Sequence, residues 1–246
     1  MAMPTDHDGH FTDRPDDLTV GILGGMGPHA TADLFRLLIG LTPAAKDWDH
    51  LHVIVDNNPR MPSRTRAFLY GEASPVPYLV AGARRLEAMG AALVVVPCNS
   101  ASYFLAPVRA AVRVPVLDPV GATSAAIARQ GAARRPLVLG GVVTCRAGLY
   151  GAALAPHRIA TLLPPGGDAD EVADLIERLK RHEVGPEVVA RTRAVIERGR
   201  AAGADSVILG CTELGLIASA LAADLPVYNS NELLARAALE LARGGS

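Results

Sequence analysis

Aromatic residues are scarce in this chain. Four Phe, five Tyr and one Trp make up 4% of its 246 residues, too few for the stacking platforms on which bases and sugars are held. A surplus of one charge is missing as well. Lys and Arg number 24 against 25 Asp and Glu, a net charge of −1, and nucleic-acid binding needs clustered positive charge, so no nucleic-acid partner is expected. Cysteine is limited to Cys98, Cys145 and Cys211. They form no CxxC or CxxH pair, which argues against a zinc or other metal site, and three scattered thiols make no disulfide framework. Such thiols suit a reducing, cytoplasmic setting. Long hydrophobic runs are absent too: segments such as Ala91–Val96 are strand-sized, well short of the roughly 18 apolar residues of a membrane span. Residues 1–17 are polar and acidic, with no apolar core of a signal peptide. They are expected to be a disordered tail, with His7 and His10 solvated.

What is present is a rhythm. Half the chain is hydrophobic, arranged as short apolar runs alternating with segments of helical spacing. Strands are expected at 18–23, 51–55, 92–96, 114–117, 136–139, 159–163, 206–209 and 227–228. Helices are expected at 31–40, 77–89, 101–111, 121–130, 149–154, 171–181, 186–202, 218–222 and 231–243, the last capped near Ser230. Buried strands alternating with helices predict parallel βαβ units and an α/β fold.

Two segments repeat one design. Gly90-Ala-Ala-Leu-Val-Val-Val-Pro-Cys98 and Gly203-Ala-Asp-Ser-Val-Ile-Leu-Gly-Cys211 each run from Gly-Ala through an apolar stretch to a cysteine. This suggests two similar lobes, each a mostly parallel sheet flanked by helices. Each cysteine stands where a strand ends and a helix is expected, the edge at which open parallel sheets bind ligands. A helix start favours thiolate over thiol and is expected to lower the pKa of Cys98 and Cys211, making them candidate proton donors and acceptors. Cys145 lacks the repeat and reads as incidental.

Other features carry weaker signals. Gly25, Gly27 and Ala30 formally satisfy a dinucleotide fingerprint, but Asp56 comes about ten residues beyond the acid expected roughly 20 residues on. A carboxylate suits such a loop as well as a pyrophosphate does, and no cofactor is expected. In the loop Asp56–Thr65, Arg60 or Arg64 can hold a substrate carboxylate; Arg64 is expected to pair instead with a structural acid. Lys180, taken alone, reads as part of a solvated helix face. His50 and His52 read as neighbours on a strand face rather than metal ligands.

Taken together, the segments Gly21-Ile-Leu-Gly-Gly-Met-Gly-Pro, Asn58-Pro-Arg-Met-Pro-Ser-Arg-Thr, Pro97-Cys-Asn-Ser-Ala, Thr144 through Gly148-Leu-Tyr150, and Leu209-Gly-Cys-Thr-Glu-Leu resemble the cofactor-independent aspartate/glutamate racemases, aspartate racemase branch. The resemblance implies two lobes related by a pseudo-two-fold axis, residues 18–119 with 226–246 and residues 120–225, with the active site between them. It implies a homodimer acting on a small amino acid or dicarboxylate. Cys98 and Cys211 would be the acid/base pair. Met26, Gly27, Asn99, Ser100, Thr144 and Thr212 would line the site and hold the α-carboxylate, and Arg60 and Lys180 would hold the side-chain carboxylate.

The chain departs from that family's pattern at three places: Ser102 replaces a histidine, Ser63 an acid, and Val143 a glycine that many relatives carry. These changes leave the thiols intact and put the substrate in question. The expected activity is racemisation of an acidic amino acid, aspartate first. The alternatives are isomerisation of a related dicarboxylate such as maleate, epimerisation of a modified amino acid, or a non-catalytic dicarboxylate-binding protein.

Overall fold

The computed structural model describes residues 17–221 and 225–244. All but the last residue of the expected tail, including His7 and His10, lies outside them, as does residue 222 at the end of the expected 218–222 helix.

The elements run β1 (Val20–Gly24), α1 (Pro28–Leu41), β2 (Val53–Asn57), α2 (Arg64–Tyr70), α3 (Val76–Ala88), β3 (Leu93–Val95), α4 (Ala106–Ala111), β4 (Val116–Leu117), α5 (Pro119–Gln130), β5 (Pro136–Gly140), α6 (Val142–Arg146), α7 (Leu149–Leu154), α8 (Asp168–Lys180), α9 (Pro186–Ala201), β6 (Ser206–Gly210), β7 (Val227–Asn229) and α10 (Ser230–Ala242). Two 3₁₀ helices, Asn99–Phe104 and Thr212–Leu221, follow β3 and β6. The strands form two parallel sheets, ordered β2-β1-β3-β4 and β5-β6-β7. This is the expected α/β architecture of two lobes.

Alternation along the strands divides each lobe's core in two. In the first sheet Val20, Ile22, Leu93 and Val95 face α1 and α10 through Leu34, Leu38, Leu234 and Ala238. Their neighbours Leu23 and Val94 face Leu79, Ala83 and Leu86 of α3. In the second, Leu137, Leu139, Val207 and Leu209 meet α8 and α9, while Val138 and Ile208 meet Ile127 of α5 and Tyr150 of α7. Strands apolar on both faces read as continuous runs, because helices cover both sides of a parallel sheet.

The repeat noticed in the sequence is structural. Gly90 and Gly203 both close a helix at positive φ, 95° and 94°. The N–H of Ala91 then returns to Leu86 O and that of Ala204 to Gly199 O, each at 3.0 Å. This six-to-one bond is the Schellman stop, which needs a left-handed residue. Each glycine therefore turns the chain from α3 or α9 into a central strand that delivers a cysteine.

Several expectations change. Residues 159–163 make only a bridge, Leu137 to Leu162, and no strand. Residues 101–111 divide into a 3₁₀ helix and α4, joined at Leu105; Pro107 has no N–H to continue a helix through this point and sits in the first turn of α4, where none is needed. His50 and His52 precede β2 rather than lying on it. Asn229, not Ser230, caps α10: its Oδ1 accepts from the N–H of Asn231 at 3.1 Å and of Glu232 at 3.4 Å. Residues 226–246 were expected with the first lobe, yet β7 pairs with β6 in the second sheet. Of that segment, α10 returns to pack on the first sheet.

Candidate active site

A cavity of about 170 Å³ opens where the carboxyl ends of the two sheets meet. Ligand pockets for drug-sized molecules run from about 300 Å³ upward, so the space fits a small metabolite. Every loop that lines it follows a strand. Met26 follows β1, and Ser63, Arg64 and Thr65 open α2 after β2. Cys98, Asn99 and Ser100 follow β3. From the other lobe come Gly141 and Val142 after β5, and Cys211, Thr212 and Glu213 after β6. The remaining wall is one face of α8: Ala173, Ile176, Glu177 and Lys180, the i, i+3, i+4, i+7 stripe of a helix.

The two thiols have different surroundings. Cys98 is buried, and burial pushes its pKa up; the Arg64 guanidinium pulls it back, Glu213 adds to the rise, and the Ala101 N–H and Lys180 oppose it. Cys211 donates from Sγ to Glu213 Oε2 at 3.0 Å. Its pKa is raised well above the ordinary thiol value, first by burial, then by the charge and hydrogen bond of Glu213, with Lys180 opposing. The expected lowering at helix starts is therefore corrected for both cysteines. Cys98 opens a six-residue 3₁₀ helix, not an α-helix, and withdrawal from water outweighs the field of so short an element.

Glu213 is 2% exposed. Its Oε1 accepts from the Gly27 N–H at 3.3 Å, across the lobes. The Thr212 hydroxyl lies between the Pro97 carbonyl, at 3.2 Å, and Glu213 Oε2, at 3.4 Å. Asn99 is fully engaged: its Oδ1 accepts from Tyr150 OH at 2.6 Å and its Nδ2 donates to Ser230 Oγ at 3.0 Å. Lys180 Nζ is 2.6 Å from Glu177 Oε1. Desolvation is the largest single influence and lowers the Lys180 pKa, but the Glu177 hydrogen bond and the charges of Cys211, Glu177 and Glu213 together outweigh it, and the pKa is raised. Arg64 donates from one guanidinium nitrogen to the Pro62 carbonyl at 3.0 Å, and its buried Nε has no partner among the described residues.

The profile of Asp/Glu/Hydantoin racemases matches residues 23–238. The chain belongs to this racemase family. It is 25% identical over 224 residues to the broad specificity amino-acid racemase RacX of Bacillus subtilis (strain 168), covering 88% of this chain and 95% of that one. The fold matches the aspartate racemase of Picrophilus torridus with a TM-score of 0.82 at 29% identity, covering 92% of this chain and 94% of that one. An aspartate racemase homologue from Pyrococcus horikoshii OT3 matches at 0.72 and 25% identity, over 91% of this chain and 98% of that one. Amino-acid racemisation is the activity this membership supports.

In the racemase cavity, the structure brings together Cys98, Cys211, Met26, Asn99, Ser100, Lys180 and Thr212 from among the residues singled out in the sequence. Gly27 borders an adjoining pocket with His29, sharing Met26, Arg64, Lys180 and Glu213 with the first. Thr144 is 1% exposed, within α6 behind Gly141 and Val142, and off the cavity wall; its Oγ1 has no partner among the described residues. The arginines exchange places. Arg60 is exposed and off the cavity wall, whereas Arg64 lines it and forms no ion pair with an acid among the described residues. The reason is local: Ser63 caps α2 through Oγ to the Arg66 N–H, at 3.3 Å, so Arg64 is the first residue of a helix directed at the cavity. Lys180 lies on the cavity face of α8 and not on a wholly solvated one.

Sequence reasoning missed Glu213 and Glu177. Both had a signal. Glu213 stands two residues after Cys211, and Glu177 falls one helical turn before Lys180. Cys145, on α6, lies off the cavity; its Sγ donates to Gly140 O at 3.4 Å and burial raises its pKa to about 11. Among the described residues no group of three or more His, Cys, Asp and Glu is placed to hold a metal ion, and no helix is long and apolar enough to cross a membrane.

Proposed function

We propose that this protein racemises an acidic amino acid, aspartate foremost, by passing a proton at Cα between Cys98 and Cys211. The observation that carries the reading is the pair of thiols, one from the central strand of each lobe, lining one small cavity with Arg64 and Lys180 in its wall. Inversion at Cα needs a base on one face and an acid on the other. One thiolate takes the α-proton as the opposite thiol returns its own to the other face, leaving the enantiomer and the exchanged protonation state. The two thiols supply both roles, so the reaction as written needs no pyridoxal phosphate.

Arg64 has an unpartnered buried Nε and is the group we assign to a substrate carboxylate, by the charge-assisted, fork-shaped bonding of guanidinium to carboxylate. Lys180 assists once the substrate competes with Glu177 for its ammonium. The wall carries Glu177 and Glu213 as well as the two cations, so it holds no surplus of positive charge. This supports a second reading, in which a wider range of side chains is accepted, in line with the broad specificity named for the Bacillus subtilis relative.

The test is proton NMR of L-aspartate with the enzyme in heavy water. The α-proton signal is expected to disappear as D-aspartate forms, and Cys98→Ala and Cys211→Ala are each expected to abolish racemisation. Failure of exchange with either enantiomer of aspartate or glutamate overturns the acidic-substrate reading. Retention of racemisation by either variant overturns the two-thiol mechanism.

A further inference from the structure

We infer that Glu213 is a positioning residue that holds Cys211 as a thiol, making Cys211 the resting acid and Cys98 the resting base of the free protein. The inference builds on the reading of the cysteines as an acid/base pair, and it assigns the proton that this reading leaves open.

The geometry is one-sided. The Cys211 thiol donates to Glu213 Oε2 at 3.0 Å, and that carboxylate is fixed from the opposite lobe by the Gly27 N–H at 3.3 Å and flanked by the Thr212 hydroxyl. Glu213 is buried and enters no salt bridge among the described residues. A thiolate on Cys211 would lose its donated hydrogen bond and face a carboxylate oxygen at contact distance, the like-charge arrangement that disfavours ionisation. Cys98 donates to no carboxylate among the described residues. Its charged neighbours are Arg64 and Lys180, which favour the thiolate, and Glu213, which opposes it; the Ala101 N–H also favours it. Around Cys211 stand the Glu213 carboxylate and the Cys98 thiolate on one side of the balance and Lys180 on the other. Two matching strand-end cysteines are thus made unlike by one residue two positions along the chain.

Access and ionisation predict opposite orders of reactivity, which makes the inference testable without substrate. Cys98 is 6% exposed, and Cys211 is more open. If access alone governed, iodoacetamide would modify Cys211 first. The rate of attack by a thiol follows its thiolate fraction, so Cys98 is expected to react first and at lower pH. Cys145, off the cavity, serves as the slow internal standard. The experiment is limited alkylation of the full chain across a pH series, with each cysteine quantified by peptide mass spectrometry.

In Glu213→Gln the Cys211 rate is expected to rise by about tenfold, with the Cys98 rate rising far less, because Glu213 only opposes Cys98 from a distance. Faster or equal modification of Cys211 in the unaltered protein overturns the assignment, and that arm needs no variant to fold. An unchanged Cys211 rate in Glu213→Gln also overturns it. A fall in that rate would overturn it in a specific direction, making Glu213 a base that activates Cys211. Alkylation is read whether or not aspartate turns over, so failure here is distinguishable from failure of the proposed activity.

Discussion

Arg60 and Arg64 belong to one loop, and their fates show how much a single turn decides. Arg64 opens α2 and lines the cavity, whereas Arg60 is exposed outside it. Replacing Arg64 by Ala is expected to remove a charge-assisted contact to a substrate carboxylate, worth about 2–4 kcal/mol when the pair is desolvated. That corresponds to a drop in kcat/KM of roughly 30- to 1,000-fold for aspartate. Arg64→Lys should recover little of it, since an ammonium lacks the guanidinium fork. Arg60→Ala should remain within about twofold, the range of a surface change. Equal losses in Arg60→Ala and Arg64→Ala would sink the assignment. The thiols were legible in the sequence because strand, turn and cysteine repeat at fixed spacing. The arginine was not, because two equivalent cations four residues apart are distinguished only by the serine cap that starts a helix. Glu213 was passed over for a related reason: that a carboxylate turns back toward its own strand's cysteine depends on a 3₁₀ turn whose geometry composition does not reveal.

At the scale of elements, Asp118 joins three of them. It caps α5, accepting at Oδ1 from the N–H groups of Val120 and Gly121 at 3.0 and 3.1 Å. The same oxygen accepts from Ser102 Oγ at 2.7 Å, and Oδ2 pairs with Arg109 of α4. Ser102 is therefore a strut beneath the Cys98 turn and not part of the cavity wall. Asp118→Ala should destabilise by about 1–3 kcal/mol, combining a lost cap of about 1–2 with a half-exposed ion pair worth at most about 1. Calorimetry should show a fall in Tm of about 2–12 °C. Asp118→Asn keeps the cap and should lose less. Ser102→Ala should cost about 0.5–1.5 kcal/mol with racemisation within a few-fold. A large loss of activity at unchanged Tm in Ser102→Ala would return this position to the site. The strands and long helices were legible because their apolar runs and helical spacing are strong. The two short helices that shape the cavity, α2 and α6, were missed: α2 buries none of its seven residues and α6 has only five, so neither shows an apolar stripe of helical period.

Across the whole molecule, the lobes meet through polar groups at the ends of their central strands. Thr212 of the second lobe reaches the Pro97 carbonyl of the first, Gly27 reaches Glu213, and His29 stacks on His182 with ring centroids 4.7 Å apart. The most buried tie is Tyr150–Asn99–Ser230, in which Ser230 Oγ in turn donates to Leu209 O at 2.6 Å. Tyr150 belongs to α7 and its ring packs beside Gly210, next to Cys211, while Asn99 follows Cys98. One hydroxyl thus connects the surroundings of both thiols. Tyr150→Phe keeps the ring and its packing but leaves the buried Asn99 Oδ1 without its donor. Such an orphaned acceptor costs about 1–3 kcal/mol, a Tm lower by roughly 2–12 °C in a chain of this size. If the tie also sets the orientation of Asn99 beside Cys98, kcat should fall more than KM rises, because a loosened site loses alignment before it loses affinity. Thermal melts and steady-state kinetics on the same preparation separate the two effects. An unchanged Tm would mean that water replaces the hydroxyl. An unchanged kcat with a lowered Tm would confine the tie to holding the lobes together.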